Sequence, residues 1–435
     1  MNLGQKFLKQ AKKIIPGGNQ LLSKRSEFYL PNLWPSYYKK AKGCKIWDLE
    51  NNMYYDFAGM GVTSCVLGYS DKDLNSAIIK GLQKGSMTTL NSTDEIKLAK
   101  KLIKIHKWAG MAKFCKSGGE ACMVAIRIAR AFSGKQNIAF CGYHGWHDWY
   151  LATNMQNSKN LDKQHLTGLS TKGVSKTYAG TIKPFDYNDL KSFKKIVLNK
   201  KNEIGIVIME PMRGVKPIKG FLQNIREITR KNKIILIFDE ITSGFKDNYG
   251  GIHLKFNVNP DIAIYGKSIG NGYPISAIIG KKKIMQTSQE SFISSTMWTD
   301  SLGFIAANTT LNKLKKFNVN NKIKKFGKII KRGWTELAKK NKISITVSGL
   351  DSIPSFKFNY NNNLEISTYF AQEMLRKGFL ANTTLTTSLS FNKIIINKYL
   401  KEVDRVFNKI NYCLKLNKFP LKSEIKHSTF RRLTG

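Results

Sequence analysis

The stretch Lys233-Ile-Ile-Leu-Ile-Phe-Asp239-Glu240-Ile241-Thr-Ser-Gly-Phe245 is an apolar run that stops abruptly at two acids. A run without polar alternation marks a strand buried on both faces, as inside a parallel sheet covered by helices. Carboxylates at its C-terminal end stand where open α/β sheets place their ligands. Taken alone, the same residues also describe a strand entering a solvated acidic loop.

Outward from this stretch, a second strand, Asp261-Ile-Ala-Ile-Tyr265, runs into Gly266-Lys267-Ser268-Ile-Gly-Asn-Gly272 and sets one lysine in a turn of small residues. The turn is not a P-loop, because that motif needs a glycine five positions before Gly266, where Asp261 stands. Upstream, a strand at 112–115 enters Lys116-Ser117-Gly118-Gly119-Glu120-Ala121 and a helix at 119–132. Amides at a helix N-terminus, with a Ser hydroxyl and no Cβ in the way, suit a phosphate. Strands at 137–141, 204–209, 233–238, 261–265 and 275–279, with helices near 73–85 and 223–231, complete an alternation that predicts an α/β fold with a mostly parallel sheet. Beyond about 310 a long basic helix, strands at 343–347 and 355–358, and helices at 364–376 and 397–412 predict a smaller α+β domain. The expected division is an N-terminal segment 1–65 with a hairpin around Cys44–Asp56, a large domain 66–310, and a C-terminal domain 311–435.

The segment Cys141-Gly-Tyr143-His144-Gly145-Trp146-His147-Asp148 has the Cys-x2-His-x2-His spacing of a metal site. A structural zinc site needs four close ligands and no second cluster supplies the fourth, so no metal is expected. Its aromatic residues read better as a stacking wall for a planar ligand.

Composition narrows the classes. Lys+Arg 72 against Asp+Glu 29 gives a net charge of +43, and 42% of the residues are hydrophobic, too many for a disordered chain. The lysines are spread over almost every segment rather than gathered with aromatics, which argues against a nucleic-acid surface; the densest stretch, Lys313–Arg332, also reads as a solvated helix face. A positive field still favours anionic small molecules. Six dispersed cysteines form no CxxC pair, the N-terminal stretch lacks the apolar core of a secretory signal, and no apolar run approaches a membrane span, so a soluble cytoplasmic protein is expected.

Together the motifs Ser-Gly-Gly-Glu-Ala, Tyr-His-Gly, Met-Glu-Pro, Phe-Asp-Glu-Ile-x-x-Gly-Phe, Gly-Lys-x-Ile-Gly-Asn-Gly-Tyr-Pro and Ser-Ser-Thr296 occur in the order of the fold-type I, pyridoxal-phosphate-dependent class III aminotransferases, which include glutamate-1-semialdehyde 2,1-aminomutase. The resemblance runs from Ile15-Pro-Gly-Gly18 to about Phe407. It implies a large domain with a mostly parallel sheet flanked by helices, and a smaller α+β domain built from the N-terminal segment and the C-terminal part. It implies that Lys267 forms the Schiff base with pyridoxal phosphate and moves the substrate proton, that Asp239 pairs with the pyridine nitrogen, and that Tyr143 and Ile241 pack on the two ring faces. Ser117, Gly118 and Gly119 then meet the phosphate, Glu210 of Met-Glu-Pro stands near the cofactor, and Thr296 reaches the phosphate of a neighbouring subunit in a homodimer with shared sites.

Within the family, Ile15-Pro-Gly-Gly-Asn-Gln-Leu-Leu-Ser23-Lys24-Arg25 resembles the aminomutase N-terminus, where a Ser and an Arg line the substrate site, with the arginine here one position later. A glutamate characteristic of the aminomutase is replaced by Thr383, and the segments Glu210–Leu222 and Trp298-Thr299-Asp300 look more like the aminotransferase branch. The resemblance thus implies an aminotransferase carrying an amino group from a glutamate-like donor to a keto or aldehyde acceptor. The aminomutase, with no external donor, is the alternative enzyme. A basic nucleic-acid-binding protein on an enzyme-like fold is the alternative of another class.

Overall fold

A computed structural model describes residues 2–164 and 167–429. The chain divides into two compact units, the described residues of Met1–Lys72 with Asn318–Gly435, and Asp73–Phe317. In the first, strands β1 (Tyr38–Lys42), β2 (Lys45–Asp48) and β3 (Met53–Phe57) form an antiparallel meander.

The second unit is built on strands β4 (Met111–Cys115), β5 (Asn137–Cys141), β6 (Ile182–Pro184), β7 (Ile204–Met209), β8 (Ile235–Asp239), β9 (Ile262–Tyr265) and β10 (Ser276–Gly280). They lie in the order β4-β10-β9-β8-β7-β5-β6, all in one direction except β10, which pairs antiparallel with both neighbours. Every residue of β7, β8, β9 and β10 is buried. The period-2 pleat then divides each strand between two cores. Ile206, Ile208, Ile235 and Ile237 pack with Ala121, Ala125 and Ile128 of the helix Gly118–Ser133. Val207, Met209, Leu236 and Phe238 pack with Phe221, Leu222 and Ile225 of the helix Phe221–Lys231. Helices on both faces explain why the strands carry no polar alternation.

Because β4, β5, β7, β8 and β9 run the same way, the segments that follow them emerge at one sheet edge. That edge gathers Ser117, Tyr143, Glu210, Asp239 and Lys267.

In the first unit, β11 (Ile345–Gly349) and β12 (Pro354–Phe358) form a hairpin, and β13 (Phe379–Ala381) adds to β3 in parallel. Phe57 stacks on Tyr399 at 4.2 Å, and the Trp334 indole donates to the Tyr399 hydroxyl at 3.2 Å. Among the described residues no helix is long and apolar enough to cross a membrane.

Candidate active site

Asp239 closes β8 with its side chain 3% exposed, and three donors hold its carboxylate. The Ile241 amide donates to Oδ1 at 3.0 Å; His144 Nδ1 meets Oδ2 at 2.8 Å, and the Cys122 thiol donates to Oδ2 at 3.5 Å. The other nitrogen of His144 lies 3.2 Å from the Cys141 carbonyl oxygen. Both ring nitrogens therefore face oxygen atoms, and the ring is fixed between Asp239 and the Cys141 carbonyl. A buried carboxylate so held is fixed in position at the end of β8.

Lys267 follows Gly266 at the end of β9 with φ +45°, a left-handed backbone rare for a side-chain-bearing residue. Its Nζ donates to Thr242 Oγ1 at 3.1 Å. Burial, with the Arg213 charge acting in the same direction, lowers its pKa from 10.5 to about 8, against the opposing pull of Glu210 and Asp239. Such an amine is partly neutral near neutral pH, the state a nucleophile needs.

The remaining walls are set by close approach. A Cβ on Gly118 would lie 2.7 Å from Ile241 Cδ1, and one on Gly145 would lie 3.0 Å from Gly119 Cα. The Tyr-His-Gly loop thus lies directly against the Gly118-Gly119 turn, whose amides open a 16-residue helix. Ser117 caps that helix through a capping box: the Glu120 amide donates to the Ser117 hydroxyl at 3.4 Å and the Ser117 amide donates to Glu120 Oε2 at 2.7 Å. Glu120 also accepts from the Trp298 indole at 3.2 Å. At the end of β7, Glu210 Oε2 accepts from the Tyr143 amide at 3.1 Å and from Arg213 Nη1 at 3.0 Å.

The model of the family described as aminotransferase class-III matches residues 31–414. The chain belongs to the class III aminotransferases. It is 30% identical to a 3-aminobutyryl-CoA aminotransferase of Cloacimonas acidaminovorans over 360 residues, 81% of this chain and 82% of the relative. It is 32% identical to a glutamate-1-semialdehyde 2,1-aminomutase of Campylobacter hominis over 430 residues, 93% of each chain. Among solved structures, an omega-transaminase from Sphaerobacter thermophilus superposes with TM-score 0.83 at 23% identity, covering 94% of this chain and 98% of that one.

Class III aminotransferases use pyridoxal phosphate, and the residues of this enzyme fit it. The fit rests on a lysine of lowered pKa, a buried carboxylate fixed by His144, and a helix N-terminus where Gly118 leaves no room for a Cβ. Of the residues expected from the sequence, Ser117, Gly118, Gly119, Tyr143, Glu210, Asp239, Ile241 and Lys267 all lie at the one sheet edge. Thr296 is exposed at the start of the short 3-10 helix Thr296–Thr299. Ser23 and Arg25 lie in the other unit, where the Ser23 carbonyl accepts from Tyr29 and a Cβ on Gly17 would meet the Arg25 guanidinium. Cys141, His144 and His147 do not converge as ligands: His144 is committed to Asp239 and the Cys141 carbonyl, and His147 stacks on Trp146 at 4.7 Å. The chain does bring Cys122, His144 and Asp239 within 4.8 Å of one another, but they are joined by hydrogen bonds.

Sequence reasoning missed the roles of Cys122, Thr242 and Arg213 and left His144 without a partner. His144 was marked only by its place in Tyr-His-Gly. Arg213 was one of 72 basic residues, with only its three-residue distance from Glu210 to single it out.

Proposed function

We propose that this class III enzyme is an aminotransferase that takes an amino group from a glutamate-like donor and passes it to a keto or aldehyde acceptor. The observation that carries the reading is the pairing, at one sheet edge, of Lys267 with its lowered pKa and Asp239 locked by His144. Bound pyridoxal phosphate supplies an electron-withdrawing ring that stabilises negative charge at the substrate Cα. Lys267 Nζ would hold the cofactor between turnovers and, once freed by the substrate amine, would take the proton from the substrate Cα and deliver it to the cofactor's C4′ carbon, the shift that moves the amino group onto the cofactor. Asp239 keeps the ring nitrogen protonated, and the His144 contact keeps Asp239 from rotating away. Tyr143 and Ile241 confine the ring from its two sides, and the Gly118 and Gly119 amides hold the phosphate, with Ser117 fixing the helix end that presents them.

Thr296 completes the phosphate site of a second copy in a homodimer. Its exposure, beside Phe292 and Met297 at 86% and 61% exposed, supports a surface that another chain covers. Six free, buried cysteines accord with a cytoplasmic setting. The aminomutase reading is kept alive by the 93% mutual coverage of the Campylobacter hominis relative.

The test is L-glutamate added to the cofactor-loaded protein with no acceptor present. Loss of the visible band of the lysine-bound cofactor, with release of 2-oxoglutarate, is the expected result. A band unmoved by glutamate, together with isomerisation of glutamate-1-semialdehyde without a donor, would assign the aminomutase instead.

A further inference from the structure

A second lysine is buried beside Lys267, and the chemistry proposed above does not use it. Lys246, in the turn after β8, is 0% exposed. Its Nζ donates to the Thr242 carbonyl at 2.7 Å and to Ser268 Oγ at 3.2 Å. Thr242 is the residue whose hydroxyl accepts from Lys267, and Ser268 follows Lys267 in the chain. The Ser268 hydroxyl in turn donates to the Gly244 carbonyl at 2.7 Å. Three hydrogen bonds thus cross between the turn after β8 and the turn after β9, from Lys246 to Ser268, from Ser268 to Gly244 and from Lys267 to Thr242. They bracket the left-handed backbone of Lys267, a conformation that persists only where its surroundings hold it.

The two amines also meet electrostatically. The oxygens to which Lys246 donates are a carbonyl and a hydroxyl, neither of which carries a charge. Burial and the Lys267 charge both disfavour a proton on Lys246, whereas Asp247 and Glu240 favour one. Glu240 is itself engaged by the His253 amide and Nδ1 and by the Ser243 hydroxyl. On the Lys267 side stand Arg213, Glu210 and Asp239. Repulsion between like charges is mutual and stronger away from water, so a proton on either amine weakens the hold of the other on its own.

We propose that Lys246 is a positioning residue for Lys267: it ties the turn that carries Lys267 to the turn after β8, and as a second amine buried beside it competes with it for charge. The functional meaning rests on Lys267 being the cofactor-bearing amine, as read above. The coupling itself belongs to the chain and is measurable without cofactor.

The experiment is a cycle of wild type, Lys246→Met, Lys267→Met and the double variant, each unfolded by urea as the full-length apoprotein from pH 6 to 10.5. At pH 6 the double variant should fall short of the sum of the two single effects, because either removal already relieves the remaining amine. The shortfall should shrink as pH rises and level off by pH 10.5, where neither buried amine is charged. Hydrogen bonds alone would couple the two positions equally at every pH. Lys219→Met, which removes an exposed lysine of the same unit, should add to Lys267→Met throughout. In the cofactor-loaded protein, Lys246→Arg sets a cation that does not titrate in this range beside Lys267, so the pH midpoint of the visible band should fall by about one unit, while Lys246→Met should leave or raise it. A shortfall that is absent or independent of pH, or equal midpoints in the Arg and Met variants, would overturn the proposal. If Lys246→Met does not fold, the Lys246→Arg midpoint decides, and a value at or above that of wild type counts against it. A loaded wild-type protein with no visible band removes the cofactor reading of Lys267, and the unfolding cycle then decides the coupling by itself.

Discussion

Replacing Lys267 by methionine tests the electrostatics of the site without any cofactor. In the folded apoprotein the Lys267 pKa lies at about 8, against 10.5 for the exposed side chain. Between these values the unfolded chain binds one proton more than the folded chain, so stability rises with pH across that window, by about 1.4 kcal/mol per pH unit. Below pH 8 both states are protonated and the whole penalty, about 3 kcal/mol, is present. Methionine has nearly the same length and no charge, and it inherits the same left-handed backbone. It loses the hydrogen bond to Thr242 Oγ1, worth about 1 kcal/mol. The variant apoprotein should therefore be about 2 kcal/mol more stable than wild type at pH 7, with the difference passing through zero at about pH 10 and reaching about 1 kcal/mol in favour of wild type above pH 10.5, where only the lost hydrogen bond remains. Urea unfolding of both proteins at pH 7 to 10 reads this directly. Lys426, also lowered to about 8 by burial, contributes equally to both chains and cancels in the comparison, whereas Lys246, held well below 10.5 by burial and by the Lys267 charge, is relieved of that charge in the variant, which acts in the same direction as the predicted gain. An unchanged pH slope in Lys267→Met would refute the reasoning.

Asp239→Asn should lower turnover by roughly a hundredfold or more while the protein still retains cofactor, checked by steady-state rates beside the bound-cofactor spectrum. Ser117→Ala should cost about 1 kcal/mol in thermal or urea unfolding, because the capping box of the helix Gly118–Ser133 is lost. Glu240 is buried, which by itself raises its pKa, but His253 donates to Oε1 from both its amide and its Nδ1, and the balance lies below the usual 4.5. A carboxylate lowered on folding stabilises above its unfolded pKa, and that contribution is lost as pH falls below 4.5 through the folded value. Glu240→Gln should therefore remove the part of acid destabilisation that begins below pH 4.5 and lower stability at pH 7 by about 3 kcal/mol, both read by unfolding across pH 3 to 7.

The central strands were legible because burial on both faces leaves a continuous apolar signature. Residues 137–141 and 204–209 are strands as read, and the run from Lys233 begins two residues late only because Lys233 itself, at φ +54°, belongs to the turn before β8. Short elements were lost for the opposite reason. β6 has three residues and ends in a proline at the sheet margin, and β13 has three residues whose partner, β3, lies more than three hundred positions away. Neither leaves a local pattern. The helix Thr93–Ile105 did carry a signal, Ser92 as cap with Asp94 and Glu95 in the first turn, that went unread. At the site, residues lodged in motifs were found from the sequence, whereas the partners that fix them were not. Cys122 and His144 meet Asp239 only because β4, β5 and β8 end at one edge, and the Glu210–Arg213 pair has meaning only once Lys267 is placed near it.

The central claim is that Lys267 is the amine that carries pyridoxal phosphate. Borohydride reduction of the cofactor-loaded protein makes that linkage permanent, and peptide mapping by mass spectrometry locates it. The account predicts a single pyridoxyl-modified peptide with the label on Lys267; a label on Lys246 or another lysine, or no covalent label at all, would contradict it.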